Sequence, residues 1–344
     1  MPRMRMNQAI SAALADAMAA DDSVVVLGED VAAAGGPFKT SDGLLERYGP
    51  ERVRDTPISE MAFTGAAVGA AMHGLRPVVE IMFMEFLGVA LDQLATEAAK
   101  IRYLSRSQYT VPMVLRASVG SGTGFGCQHS QTLENWVSAT PGLSVVSPSD
   151  AQTAYSLLRA AIEHPDPVVV LEPRVLYGVR SEVDTGHRIA IGHARVARGG
   201  VDATLIALGR TTRVALEAAE RLAQEGIEAE VVDLLTLVPL DRESVLSSVR
   251  RTGRLVVVED SPHSGGWGSE IVSLCAAEAF GDLKAPPCRV SAPDVPVPYG
   301  KELEEMYAPS ADEVVRQVQA MVGDGQPLPD WWDREGLTVK GATA

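Results

Sequence analysis

Short unbroken apolar runs, separated by segments with helical spacing, constrain this chain more than any single motif does. Runs at 24–27, 77–82, 111–116, 143–146 and 168–172 are strand length and mostly apolar at successive positions. A strand that is apolar on both faces has to be covered on both faces, which is the condition of a parallel sheet flanked by helices. Between these runs, Ile10, Leu14, Ala17 and Met18 line one face of a helix expected over 7–20, and 59–74, 91–103 and 151–163 read as further helices. The alternation resumes beyond residue 200, with strands at 203–208, 229–234, 255–259 and 288–291 and helices at 212–224, 240–250 and 268–279. The expected fold class is α/β, with two open, mostly parallel, doubly wound sheets. Gly178, Gly186, Gly192, Gly199 and Gly200 mark the division. This reading gives a first domain at 1–185, a linker at 186–200, a second domain at 201–322 and a tail at 323–344. The tail holds Trp331 and Trp332, which are expected to pack on a surface.

Among 344 residues, 45 Asp and Glu oppose 30 Lys and Arg, a net charge of −15. So acidic a chain is poorly matched to nucleic acid or to an anionic membrane, and neither is expected as a partner. No apolar run approaches the roughly 20 residues of a membrane helix. Cys127, Cys275 and Cys288 form no C-x-x-C pair, which fits a reducing compartment. The opening residues lack the continuous apolar core of a secretory leader, and a cytoplasmic location is expected. There is no H-E-x-x-H, no Cys/His cluster and no G-x-S-x-G elbow, so zinc-protease and hydrolase chemistry has no sequence support.

Ligands of open α/β sheets bind at the carboxyl ends of strands, and several segments fall there. Asp55-Thr-Pro-Ile-Ser-Glu60 joins a strand end to a helix start, with Ser59 as N-cap and Glu60 in the first turn. Glu60 is either an acid favoured by the helix dipole or a carboxyl aimed at a group that gains or loses a proton. Gly65 and Gly69, in the Ala-rich helix that follows, need a packing reason, within the chain or across subunits. Phe86, just past a strand, is either core or a face for a flat heterocycle. Gly120 to Gly126 is a glycine-rich loop without the G-x-G-x-x-G spacing, and His129 follows it among polar neighbours, a residue type suited to acid–base or hydrogen-bond roles. At 259–270 a strand, a glycine-rich turn and a helix follow one another. Glu259 and Asp260 there would repel an anion, which favours a structural role.

Taken together, these segments carry a resemblance. The stretches are Leu27-Gly-Glu-Asp-Val31, Gly49-Pro-Glu-Arg-Val53, Asp55-Thr-Pro-Ile-Ser-Glu60, Ala66-Ala-Val-Gly-Ala-Ala71, Gly74-Leu-Arg-Pro77, Gln128-His-Ser-Gln131, Pro141-Gly-Leu143, Leu176-Tyr-Gly178 and Asp294-Val-Pro-Val-Pro-Tyr299. From about residue 4 to about 320 the chain resembles the beta subunit of the thiamine-diphosphate-dependent first component of 2-oxo acid dehydrogenase complexes. That group covers pyruvate, branched-chain and acetoin types. The resemblance makes the first domain a pyrimidine-binding domain and the second a transketolase-type C-terminal domain. It implies that Glu60 meets N1′ of the cofactor's aminopyrimidine, where a carboxylic acid shares a proton and favours the imino tautomer; burial is what keeps a carboxyl in that form. It implies that Phe86 stacks on the aminopyrimidine, that Ile58 contacts the cofactor and that His129 assists handover to the lipoyl group. Family members can also hold potassium in the turn around Ala161, Ile162 and Asp166; here His164 stands where a family acid is common.

The family's diphosphate half is held through magnesium by a G-D-G segment and an Asn some 25–30 residues later. This chain has two asparagines, Asn7 and Asn135, and its Gly-Asp-Gly at 323–325 has no Asn after it. No magnesium ligands are therefore expected in this chain. A separate alpha subunit is expected to supply them, in a heterotetramer of two alpha and two beta chains that docks on a dihydrolipoyl acyltransferase core. The alternatives are a split transketolase-type subunit moving two-carbon ketol units, and a docking subunit without catalysis. The segment from Glu80 to Gln93 lacks the Asn-Phe-Ser of pyruvate-type chains and looks closer to acetoin-type ones.

Overall fold

The apolar runs become strands covered on both faces. In chain order the strands are β1 (Arg3–Arg5), β2 (Val24–Gly28), β3 (Val53–Asp55), β4 (Arg76–Ile81), β5 (Val114–Val119), β6 (Ser144–Val146), β7 (Val168–Pro173), β8 (Arg180–Glu182), β9 (Arg195–Arg198), β10 (Ala203–Ala207), β11 (Ala229–Asp233), β12 (Thr236–Val238), β13 (Leu255–Pro262) and β14 (Cys288–Ala292). The helices are α1 (Met6–Ala20), α2 (Leu44–Tyr48), α3 (Glu60–Met72), α4 (Leu87–Asp92), α5 (Ile101–Leu104), α6 (Glu134–Ser138), α7 (Ala151–Glu163), α8 (Arg210–Gln224), α9 (Arg242–Thr252), α10 (Gly268–Glu278), α11 (Lys301–Tyr307), α12 (Ala311–Gly323) and α13 (Trp331–Arg334). The structure, a computed structural model, describes residues 1–334. Two compact units emerge. One holds Met1–Gly120, Trp136–Gly192 and Thr236–Pro239; the other holds Ser121–Asn135, His193–Leu235 and the chain from Leu240 onward. None of the described helices is long and apolar enough to cross a membrane.

The first unit is built on a seven-stranded sheet in the order β12-β6-β7-β5-β4-β2-β3. Its neighbours run parallel except β12, which lies antiparallel to β6. Every residue of β5 and β7 is buried, as two-sided coverage requires. The chain leaves β2 for β3 on one side and returns to β4 on the other, so β2 is the point where the winding reverses. A Cβ at Gly28, the last residue of β2, would lie 2.6 Å from the Glu80 carbonyl oxygen, so only glycine fits between these strands.

The helix expected at 91–103 is divided: α4 ends at Asp92, Gln93–Ala98 is a π-helical turn and α5 follows. Such turns occur as short interruptions inside α-helices. Here the Gln93 amide lies against α3, and a Cβ at Gly65 would sit 2.7 Å from its Oε1. Gly65 therefore has its packing reason within the chain, whereas a Cβ at Gly69 would meet nothing within 4 Å.

Polar residues cross the middle of this sheet. Arg116 on β5 bonds Glu172 on β7 through Nε at 2.7 Å and Nη2 at 2.9 Å, and Glu80 on β4 through Nη1 at 2.7 Å. The Tyr177 hydroxyl donates to Glu172 at 2.7 Å and the Thr40 hydroxyl to Glu80 at 2.9 Å. Burial raises the Glu172 pKa, and Arg116 opposes that rise.

The second unit has a five-stranded sheet in the order β14-β13-β10-β11-β9. β9, inside the stretch read as a linker, runs antiparallel to β11; the other pairs are parallel. Leu205, Val231, Val256 and Val258 meet Ala215 and Leu222 of α8 and Val314 and Val318 of α12 in its core. Full burial of such side chains contributes about 1.5–3 kcal/mol each. The tail packs on this unit: Trp332 stands edge-on to His263 with ring centroids 5.6 Å apart, and Leu328 exchanges hydrogen bonds with the Gln317 amide. Tail residues 335–344 lie outside the described residues.

Candidate functional site

Three of the residues singled out in the sequence gather in the first unit, where β2, β3 and β4 end at the reversal of winding. That is where open α/β sheets present their ligand crevice. Glu29 directly follows β2, Ile58 and Glu60 follow β3, and Phe86 follows β4. The Asp55 carboxylate ties the loops together by accepting from the amides of Ala32 at 2.7 Å and Ala33 at 3.2 Å. Ser59 occupies the N-cap of α3 without a side-chain cap bond, and Glu60 opens the helix. Glu60 is buried at 7% exposure, while Ile58 is exposed at 84%.

Glu29 is the residue that sequence reasoning missed here, although it lies within one of the motifs quoted. Burial raises its pKa, and the charge of Glu60 raises it further, followed by that of Asp30. Its Oε1 is buried without a hydrogen-bond partner, and so is the Thr56 hydroxyl in the Asp55–Glu60 segment. Buried polar atoms without partners carry a cost of about 1–3 kcal/mol each. Both lie on the loops that lead from β2 and β3, the second of which opens α3 with the buried Glu60. The signal available in sequence was position: an acid immediately after a buried parallel strand.

Aromatic rings continue this site past β4. Phe86 is half-buried at the end of the 3₁₀ turn Met84–Phe86. Its ring stands edge-on to Phe83 with centroids 5.8 Å apart. Phe83 meets Phe38 edge-on at 5.9 Å, and the Arg174 guanidinium lies 5.0 Å from the Phe83 centroid. Edge-to-face packing of this kind fixes ring orientation.

The turn named for potassium is held by guanidinium groups. Arg76 Nη1 donates to the Ile162 carbonyl at 2.8 Å and to the His164 carbonyl at 3.3 Å. The Ala161 carbonyl accepts from the His164 amide, and the Asp166 carboxylate accepts from Arg102 Nε at 2.5 Å. A guanidinium charge thus already faces the Ile162, His164 and Asp166 oxygens, and no potassium ion is assigned to the turn. No group of three or more His, Cys, Asp or Glu among the described residues could hold a metal.

His129 belongs to the second unit, as part of Ser121–Asn135. It is half-buried, and its amide closes a turn onto the Gly126 carbonyl at 3.2 Å. Ser130 beside it has a buried hydroxyl without a partner. Glu134, a few residues on, is buried and accepts from the Ser261 hydroxyl at 3.0 Å. Glu259 and Asp260, read from sequence as structural, are paired: Glu259 with Arg289 at 2.6 Å and the Gly268 amide at 2.8 Å, and Asp260 with Arg210 Nε at 2.8 Å.

Glu134 supplies a pH test of this unit. Burial pushes its pKa up to about 8, against the effects of its own amide and Ser261. An unfolded Glu releases its proton near pH 4.3, so the folded form alone keeps the proton between about pH 4 and pH 8. This contribution to stability is full below that window and is lost as pH rises through it. Glu134→Gln is expected to stabilise the protein at pH 8 by on the order of 2–4 kcal/mol, the gain shrinking toward pH 5. Urea midpoints across that range measure it, and a gain independent of pH would contradict the assignment.

Comparison with known proteins finds two domain models in succession along the chain. Residues 3–180 match the transketolase pyrimidine-binding domain and residues 192–314 the transketolase C-terminal domain. The beta-2 subunit of the pyruvate dehydrogenase E1 component of Oryza sativa subsp. japonica is 46% identical, over 91% of this chain and 85% of that protein. The beta subunit of acetoin:2,6-dichlorophenolindophenol oxidoreductase of Cupriavidus necator is 41% identical, over 94% of this chain and 99% of that protein. Among solved structures, a split-gene transketolase described as an inactive beta4 tetramer matches with a TM-score of 0.77 and 28% identity, over 93% of this chain and 98% of that one. With identity this high over nearly the whole length, the chain belongs to the family of beta subunits of the pyruvate and acetoin dehydrogenase first component, built from transketolase pyrimidine-binding and C-terminal domains.

Proposed function

We propose that this chain is the beta subunit of a thiamine-diphosphate-dependent dehydrogenase. The enzyme decarboxylates a 2-oxo acid or cleaves acetoin and passes the acyl fragment to the lipoyl group of an acyltransferase. The observation that carries the reading is the buried Glu60 beside Glu29 and Thr56, both of which hold buried polar atoms without partners. This donor set fits the polar edge of an aminopyrimidine. When bound, thiamine diphosphate supplies the carbon nucleophile and the electron sink for breaking the bond next to a carbonyl. Glu60 holds and returns a proton at N1′. Glu29, whose pKa is raised by burial and by the charge of Glu60, presents its buried Oε1 to that edge. Phe86, oriented by Phe83, stacks on the ring, and the exposed Ile58 contacts its apolar side. His129 moves a proton during handover to the lipoyl group.

The diphosphate and its magnesium fall to an alpha subunit, in a heterotetramer of two alpha and two beta chains. Ile58, Met61 and Val89 stay 84%, 51% and 53% exposed around α3 and α4, apolar surface of the kind a partner chain covers. The split-transketolase reading is supported by the structural likeness at 28% identity and is ranked second to relatives at 41–46%.

Calorimetry with thiamine diphosphate and magnesium, on this chain alone and on its complex with the co-expressed alpha chain, tests the reading. Tight binding by the complex alone is expected. Tight binding by the lone chain overturns the division of the cofactor between subunits, and no binding in either state removes the cofactor from the reading.

A further inference from the structure

In the second unit the loop that carries His129 is gripped by a carboxylate far along the chain. Glu304 of α11 is buried at 3% exposure. Its Oε1 accepts the Gly122 amide at 2.6 Å and its Oε2 the Gly124 amide at 2.9 Å. Gly120, Gly122, Gly124 and Gly126 all have positive φ, at 96°, 94°, 76° and 72°. Glycines alternating with other residues in this way turn backbone N–H groups inward to form a nest for an anion. The anion in the nest is the chain's own Glu304. Tyr299, five residues before Glu304, closes the other end: a Cβ at Gly126 would fall 2.1 Å from its ring. Gly126 is also the residue whose carbonyl receives the His129 amide. The carboxylate and the tyrosine therefore both act on the backbone that leads into His129.

We propose that Glu304 is a positioning residue for His129, acting on acyl handover through the Gly122–Gly124 nest. The proposal rests on the reading that His129 serves that handover. The glycines carry no side chains to hold the loop's shape, so the two amide bonds to Glu304 and the Tyr299 contact contribute directly to its conformation. Charge-assisted bonds to a buried carboxylate are the strong kind. A displacement of about 1 Å in a reacting group can lower a rate by about 10²-fold.

The test uses the assembled alpha–beta complex and reads two rates on each variant: acylation of a lipoyl domain and reduction of the dye 2,6-dichlorophenolindophenol, which bypasses the lipoyl acceptor. For Glu304→Ala the ratio of lipoyl to dye rate is expected to fall about tenfold or more. Glu304→Gln, which keeps one acceptor oxygen, is expected to recover part of it. Gly126→Ala, which drives a Cβ into Tyr299 without touching Glu304, is expected to lower the same ratio. The double variant Glu304→Ala with His129→Ala should fall no further than His129→Ala alone. An unchanged ratio in Glu304→Ala while His129→Ala lowers it overturns the positioning role, as do strictly multiplicative effects in the double variant. An unchanged ratio in His129→Ala overturns the handover reading itself, and the proposal with it. Should Glu304→Ala fail to fold, Glu304→Gln and Gly126→Ala carry the same comparison.

Discussion

In the complex with its alpha chain, Glu60→Gln is expected to lower kcat by about 10²–10⁴-fold, the range of a single positioned proton-transfer group. Glutamine matches the size of glutamate and keeps hydrogen-bonding atoms at the same place, but it neither holds nor returns a proton. KM for the 2-oxo acid or acetoin should change little, because the lost interaction belongs to the chemical step. Folding should survive, since Glu60 faces the like charge of Glu29 and its removal relieves repulsion. Thermal melts of parent and variant check that point, and steady-state kinetics on the complex check the first. Glu29→Gln is expected to have a smaller effect. A Glu60→Gln complex within threefold of the parent would remove Glu60 from catalysis and leave the docking-subunit reading.

The second large effect is on stability. Arg116→Leu leaves the Glu80 and Glu172 carboxyls buried at 6% and 1% exposure without their shared cation. Breaking a buried pair by deleting one partner costs about 3–5 kcal/mol, because the remaining charge has nowhere to go. Here two acids lose the same partner, so the upper end of that range is expected from denaturant midpoints. The variant should also gain stability as pH falls from 8 to 5. The folded-state pKa of Glu172 is already raised by burial, and without Arg116 it rises further, so the folded form binds protons that the unfolded form has released. Glu172→Gln should cost less, since Arg116 keeps Glu80. A loss under about 1 kcal/mol for Arg116→Leu would mean that water reaches the network.

Strand positions, the α/β class and the segment ending in Glu60 were legible in the sequence because each depends on a few neighbouring residues. A run such as Val168–Val170 needs cover on both faces wherever it goes, and Pro57 followed by Ser59 makes the strand-to-helix break locally. The membership of loops was not legible. Residues 121–135 join the second unit and 236–239 enter the first as β12, choices made by pairing across long stretches of chain. The division of the helix expected at 91–103 depends on the fit of Gln93 against Gly65, which no periodicity records. Glu29 was quoted within a motif, but its relation to Glu60 exists only because β2 and β3 lie side by side.

By itself the sequence determined the layers, the family and the residue types available for proton transfer, since burial and local backbone preference act residue by residue. Only the tertiary structure decided that Glu304 holds Gly122 across 182 positions and that Arg116 serves two acids on neighbouring strands. The reason is physical. The strength of a buried carboxylate or guanidinium interaction depends on which distant partner meets it away from water, and that is settled when the chain closes on itself.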